Sequence, residues 1–351
     1  MTKLMHIAGR PVGPGAQPYI VAEMSGNHNG DLGRAMEIIR AIGQSGADAV
    51  KIQTYTADTI TIDHDGPEFR IETGGLWDGR SLYDLYDEAH TPWDWHQAMF
   101  DCARDAGVTL FSAPFNHSAV DFLEDLACPA YKIASFEIVD LPLIEKVAAT
   151  GKPLIISTGM ADMQEIRDAV AVARKAGATE IAVLHCVSGY PTPDSESNLA
   201  TIPHLAEELG VQIGLSDHTL GTAVPVAAVA LGATIIEKHV TLRRSDGGPD
   251  AAFSLEPDEL AEMVNSCRIA GQALGKAGYL RKPSEEKNSV FRRSLYVVSN
   301  IRAGETFQSH HIRSIRPGYG LPPKYIEEII GRTAATDLKY GTALKWDMIA
   351  D

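Results

Sequence analysis

The stretch "LSDHTLGTAVPVAAVALGATIIEKHVT", Leu215 to Thr241, decides the reading of the fold. It begins in one short apolar run, "QIGLSDH" (212–218), and ends in another, "TIIEKHV" (234–240). A helical stretch separates them. Each run closes on a histidine, His218 and His239, with an acidic residue just before it. Short continuous apolar runs read as strands covered on both faces, and strand–helix–strand reads as a parallel pair with a helical crossover.

The same unit recurs upstream. The runs are "YIVAEMS" (19–25), "AVKIQTY" (49–55), "VTLFSAP" (108–114), "AYKIAS" (130–135), "PLIISTG" (153–159) and "IAVLHCV" (181–187). Amphipathic stretches such as "DLGRAMEIIRAIGQSGA" lie between most of them, with apolar positions at i, i+3 and i+4. Eight such units predict a (β/α)8 barrel over residues 1–274. A doubly wound open sheet rarely has eight regular units, and no GxGxxG follows the first strand. Residues 56–92 form a long insertion after the second strand, read as a lid or substrate loop. Residues 275–289 read as a polar linker. Short strand-like runs with turn signals after it predict a small, mainly β domain over 290–351.

With 44% apolar and 22% charged residues, the 351-residue chain can bury a sizeable core. A net charge of −15 argues against nucleic acid or an anionic membrane as partner. The charge is uneven: residues 289–351 hold nine Lys/Arg against six Asp/Glu, while the rest holds 22 against 40. No apolar run reaches the roughly 18 residues that span a bilayer, and the start lacks signal-peptide features. Four cysteines without a CxxC pair suit a reducing cytoplasm and give no Cys zinc site.

Active sites of such barrels sit at the C-terminal ends of the strands. Those ends supply Glu23 with Asn27 and His28, Lys51 and Gln53, Ser112, Lys132 with Ser135 and Glu137, and Ser157 with Thr158. The last three strands add Ser188 and Tyr190, Ser216 with Asp217 and His218, and Glu237 with His239. A lysine inside an apolar run is costly unless an anion meets it. Lys51 and Lys132 with nearby hydroxyls therefore suggest a cradle for a phosphate and a carboxylate, or pairs with Glu23, Glu137 or Glu237. Adjacent strands lie about 4.8 Å apart, so His218 and His239 can share a site. Two imidazoles with open positions suit Mn, Co, Fe or Zn. Two hydrogen-bonded core histidines are the other reading, and spacing leaves both open. No third strong ligand is evident.

The motifs "IVAEMSGNHNGDL", "GADAVKIQTY", "FSAPF", "PAYKIAS", "IISTGM", "LHCVSGYPTP", "GLSDHTLG", "EKHVTL" and "GGPDAAFSLEP" resemble the sialic acid synthases in order and across the barrel. The tail with "IRPGYG" is similar to their C-terminal antifreeze-like (SAF) domain. Within the family, "GGLWDGRSLYDLYDEAHTPW" and "FEIVDLPLIEKVA" look most like the branch that makes pseudaminic acid. That branch joins phosphoenolpyruvate to 2,4-diacetamido-2,4,6-trideoxy-L-altrose, giving a nine-carbon 2-keto acid for flagellin or surface glycans. Neuraminate and legionaminate synthases, with other hexoses, are the alternatives.

The resemblance implies a transferase with Glu23, Glu137 and Glu237 as catalytic carboxylates. His218 and His239 would hold a divalent metal, typically Mn2+, with Mg2+ or Co2+ next. Lys51, Lys132, Ser135, Ser157, Ser188 and Ser216 would bind phosphoenolpyruvate. Gln53, Tyr190, Asp250 and Arg316 would meet the sugar, Arg316 from the partner of a domain-swapped homodimer. Two departures stand out. "VSGYP" places Ser188 where neuraminate synthases have Asn, and "SAPF" places Ala113 where they have Thr. A carboxylate contact at 113 would then fall to backbone or to Ser112.

Overall fold

The computed structural model describes residues 3–350. The chain divides into two compact units, the first ending at Gly275 and the second starting at Lys276. Among the described residues no helix is long and apolar enough to cross a membrane.

The first unit opens with an antiparallel hairpin, β1 (Met5–Ile7) and β2 (Arg10–Val12). Strands this short carry too little periodicity to be read from sequence. Eight parallel strands follow: β3 (Tyr19–Glu23), β4 (Ala49–Thr54), β5 (Thr109–Pro114), β6 (Tyr131–Ile133), β7 (Leu154–Ser157), β8 (Ile181–Cys186), β9 (Gln212–Asp217) and β10 (Ile235–His239). They close in chain order, with β10 paired to both β9 and β3. Each lies inside its predicted run. Strands β3, β8, β9 and β10 are buried at every position, which is why they read as continuous apolar segments.

The covering helices are α1 (Leu32–Ser45), α2 (Ala57–Ile60), α3 (Leu82–Ala89), α4 (His96–Asp105), α5 (His117–Asp125), α6 (Leu141–Ala148), α7 (Met163–Lys175), α8 (Thr201–Leu209), α9 (Ala223–Ala230) and α10 (Pro257–Leu274). In α1 the Asp31 carboxylate caps the start by accepting from the Arg34 amide. Ala35, Ile38, Ile39 and Ile42 make one buried stripe, and left-handed Gly46 ends the helix. In α7 a reciprocal capping box joins Asp162 and Glu165, and Ile166, Ala169, Val170 and Ala173 face inward.

Gly214 lets β9 and β10 close together. A Cβ there would sit 2.4 Å from the Ile235 carbonyl oxygen and 2.5 Å from the Leu184 side chain. The insertion after β4 is less of a loop than the sequence suggested. It contains α2, α3 and a bridge between Arg70 and Ser81.

In the second unit β11 (Ser294–Val297) pairs antiparallel with β12 (Ile312–Ile315). Isolated bridges such as Ile301–Leu338 and Thr306–Thr333 complete a mainly β unit. Leu295, Val297, Phe307, Ile312 and Leu344 form its core. The stretch read as a linker is partly helical, with a turn over Pro283–Glu286 and a 3-10 helix over Lys287–Phe291.

Candidate active site

Strand alternation sorts the predicted residues into two faces. Register pairs Glu23 with both Lys51 and His239, and pairs Glu237 with Ser216. All of these point into the barrel. Lys132 Nζ donates to both carboxylate oxygens of Glu237, at 2.7 and 2.9 Å. Lys51 Nζ donates to Glu237 Oε1 at 3.0 Å and lies 2.5 Å from Glu23 Oε2. The Ser216 hydroxyl donates to Glu237 at 3.0 Å. Glu237 is thus the hub of a four-membered charge cluster in the barrel mouth. Burial alone would raise its pKa, but the two lysines outweigh that and hold it well below the usual carboxylate range. Burial lowers Lys51 to about 7 against the opposing pull of Glu237.

The Ser157 hydroxyl is buried and has no partner, although it faces this interior. The Ser188 hydroxyl donates to Ser135 at 3.1 Å, joining the loops after β6 and β8. Gly159 admits Ser135 into that corner, since a Cβ there would lie 2.6 Å from the Ser135 Cβ. The Gln53 amide donates to Glu23 at 3.3 Å and to Ser25 at 3.2 Å.

The His218 and His239 rings lie 5.4 Å apart between centroids. His218 Nδ1 donates to the Val187 carbonyl oxygen at 3.0 Å, which orients the ring; burial works against its charged form, but the Cys186 thiol and the Val187 carbonyl outweigh it and raise its pKa. His239 Nδ1 is buried without a hydrogen bond, 3.6 Å from Asp250 Oδ2. Burial, reinforced by His218 and Lys51, drives His239 well below its ordinary pKa and keeps it neutral, the form that binds metal. An orphaned imidazole nitrogen beside a second oriented imidazole fits a divalent ion completed by water. Among the described residues no group of three or more His, Cys, Asp or Glu gathers around one point.

Aromatic rings wall this corner. Tyr190 stands 4.5 Å from His218, 5.5 Å from Phe253 and 5.4 Å from Trp77 by centroids. The Trp77 indole donates to the Pro249 carbonyl at 2.9 Å, so the insertion reaches the loop after β10. Asp250 is buried, and burial raises its pKa against the Ser25 hydroxyl and the Gly26 amide.

Several expectations change. Ser112 is on the outer face of β5, where it bonds Thr54 at 2.6 Å and the Ile52 carbonyl at 3.2 Å, so it cannot serve a ligand inside. Asn27 donates to the Val240 carbonyl and the Ser254 hydroxyl, both at 2.9 Å, and ties loops together. His28 accepts from the Gly30 amide and packs edge-on against Trp95. Burial first, then His90 and Arg34, lowers it to about 4. Thr158 accepts from the Cys186 amide. Glu137, on the 3-10 turn after β6, bonds neither lysine; its Oε2 is buried and unpaired, and burial raises it to about 7. Arg316 is exposed on the second unit. Sequence reasoning missed Trp77 and Phe253, because aromatic residues in a loop carry no periodic signal.

A barrel of eight parallel strands, with two lysines, paired carboxylates and two histidines at its mouth, defines a class of enzyme working on anionic substrates. A model of the NeuB family matches residues 38–279 and one of the SAF domain matches 292–350. A pseudaminic acid synthase of Helicobacter pylori is 45% identical over 333 residues, covering 95% of this chain and 98% of that protein. One of Campylobacter jejuni is 43% identical over 327 residues, covering 93% and 95%. The crystal structure of an N-acetylneuraminic acid synthetase from Leptospira borgpetersenii superposes with a TM-score of 0.74 at 30% identity, covering 82% of this chain and 95% of that one. The chain belongs to the NeuB family, the sialic acid synthases, and is a transferase.

Proposed function

We propose that the protein is a pseudaminic acid synthase, condensing phosphoenolpyruvate with 2,4-diacetamido-2,4,6-trideoxy-L-altrose and water into a nine-carbon 2-keto acid and phosphate. The observation that carries the reading is the convergence of Lys51 and Lys132 on Glu237, beside the unpartnered Ser157 hydroxyl and the histidine pair. The names and identities of the two bacterial relatives support the sugar.

Lys51 and Lys132 take the phosphate and carboxylate of phosphoenolpyruvate, with Ser135, Ser157, Ser188 and Ser216 supplying hydroxyls. At rest Glu237 and Glu23 together neutralise the two ammoniums, which avoids leaving unpaired charges buried. C3 of phosphoenolpyruvate attacks the aldehyde C1 of the open-chain sugar, and water adds at C2 as the bond from C2 to the phosphate oxygen breaks. The lysines stabilise the departing phosphate electrostatically. Glu23, between Lys51 and His239, moves protons for the water and the new alkoxide. Gln53, Tyr190 and Asp250 orient the sugar. His218 and His239 would hold a divalent ion, manganese before magnesium or cobalt, whose Lewis acidity would polarise the aldehyde. Arg316 meets the sugar in a partner's barrel, in a domain-swapped homodimer working in the cytoplasm.

The test offers phosphoenolpyruvate, Mn2+ and each candidate hexose to the purified protein, reading phosphate release and product mass. Release with the diacetamido-trideoxy altrose is expected. Release with N-acetylmannosamine alone overturns the sugar, and release with no hexose overturns the function.

A further inference from the structure

Lys238 is among the largest fully buried side chains, yet none of the chemistry above uses it. It sits between Glu237 and His239 on β10, so alternation turns it to the outer face of the barrel. Asp217 occupies the matching outer position on β9, directly opposite in register. The Lys238 ammonium donates to Asp217 Oδ2 and to the Thr219 carbonyl oxygen, the latter at 2.6 Å. Asp217 also accepts from the Thr219 amide at 3.1 Å and the Thr219 hydroxyl at 3.0 Å. All three side chains are buried.

The Lys238–Asp217 pair is the last rung of the β9–β10 ladder, and β9 ends at Asp217. His218 therefore lies just past the point where sheet hydrogen bonding fixes the backbone. The residues on both sides of His218 are held by one ammonium, and that ammonium belongs to the neighbour of His239. We infer that Lys238 is a positioning residue: it staples residues 217–219 to β10 and thereby sets where the His218 ring stands relative to His239. The inference rests on the histidine pair being the ion site.

Stability alone does not call for this pair. A buried ion pair replaced by apolar side chains of similar volume is often neutral or stabilising. Such a replacement keeps the packing but removes both the donor to the Thr219 carbonyl and the acceptor of the Thr219 amide and hydroxyl, so the urea midpoint reads the fold and the ring signals read the histidine geometry.

The experiment uses the full chain carrying Asp217→Leu with Lys238→Met, and Asp217→Asn as the conservative variant, which keeps an acceptor for Lys238. Urea unfolding establishes that each is folded. Side-chain 1H–15N spectra of 15N-histidine protein, free of metal, read the rings. The double variant is expected to broaden or split the His218 signals while those of His28 stay in place, and Asp217→Asn to keep the wild-type pattern. Mn2+ titration of the same metal-free proteins should show a loss of affinity of about tenfold or more in the double variant. A folded double variant with wild-type His218 signals overturns the inference. The ion-site reading fails separately: Mn2+ affinity untouched by His218→Ala removes the ligand pair, while the ring signals still decide Lys238.

Discussion

Glu237 accepts three donors from three strands: Lys51 on β4, Lys132 on β6 and Ser216 on β9. Glu237→Gln leaves two ammoniums buried with one carboxylate fewer. Breaking a buried pair in this way costs about 3–5 kcal/mol, so the urea midpoint should fall sharply along with activity. Unchanged stability would mean that water reaches the cluster freely. Glu137 gives a pH signature. Burial holds its carboxyl protonated in the folded chain up to about pH 7, against an ordinary value of 4.5. Between those values the folded state binds more protons than the unfolded, so stability falls as pH rises. Glu137→Gln should remove that decline, worth about 2 kcal/mol between pH 5 and 7 in unfolding experiments. The sequence named all three glutamates but could not rank them. Which one meets the lysines depends on strand stagger around the closed barrel, and Glu137 lies one turn beyond β6.

At the scale of the element, the insertion between β4 and α4 is tied down at Trp77. Its indole hydrogen bond to Pro249 is worth about 1 kcal/mol, and its contact with Tyr190 contributes about 0.5–1.5 kcal/mol more. Trp77→Ala should therefore release the segment without unfolding the barrel. Limited proteolysis should cut within residues 56–92 more readily, and KM for the sugar should rise while that for phosphoenolpyruvate stays within about twofold, since the lysine cluster lies below the latch. Equal rises in both would assign Trp77 to general closure. The strands themselves were legible because burial on both faces writes itself as an unbroken apolar run. The helices in the insertion were not, because α2 spans only Ala57–Ile60 and α3 only Leu82–Ala89.

For the whole molecule, the swapped homodimer proposed above makes a prediction that a self-contained barrel does not. On that proposal Arg316→Ala would damage only what the small unit lends, and Lys132→Met only the barrel. Mixed and reassembled, the two inactive variants should recover about a quarter of wild-type activity, because half of the dimers are mixed and each has one intact site. No recovery in reassembled heterodimers would place Arg316 in its own chain's site, and an Arg316→Ala variant active by itself would place it in none. The barrel, the small β unit and the polar residues at the strand ends were legible in the chain before any coordinates. Periodicity, charge and turn chemistry are local properties, and eight regular units leave little freedom in how they close. It took the folded barrel to show that Ser112 points away from the site, that Glu237 rather than Glu137 takes both lysines, and that Lys238 reaches both neighbours of His218. Each of these depends on register and stagger between strands far apart in sequence, where a shift of one residue exchanges the inner and outer faces.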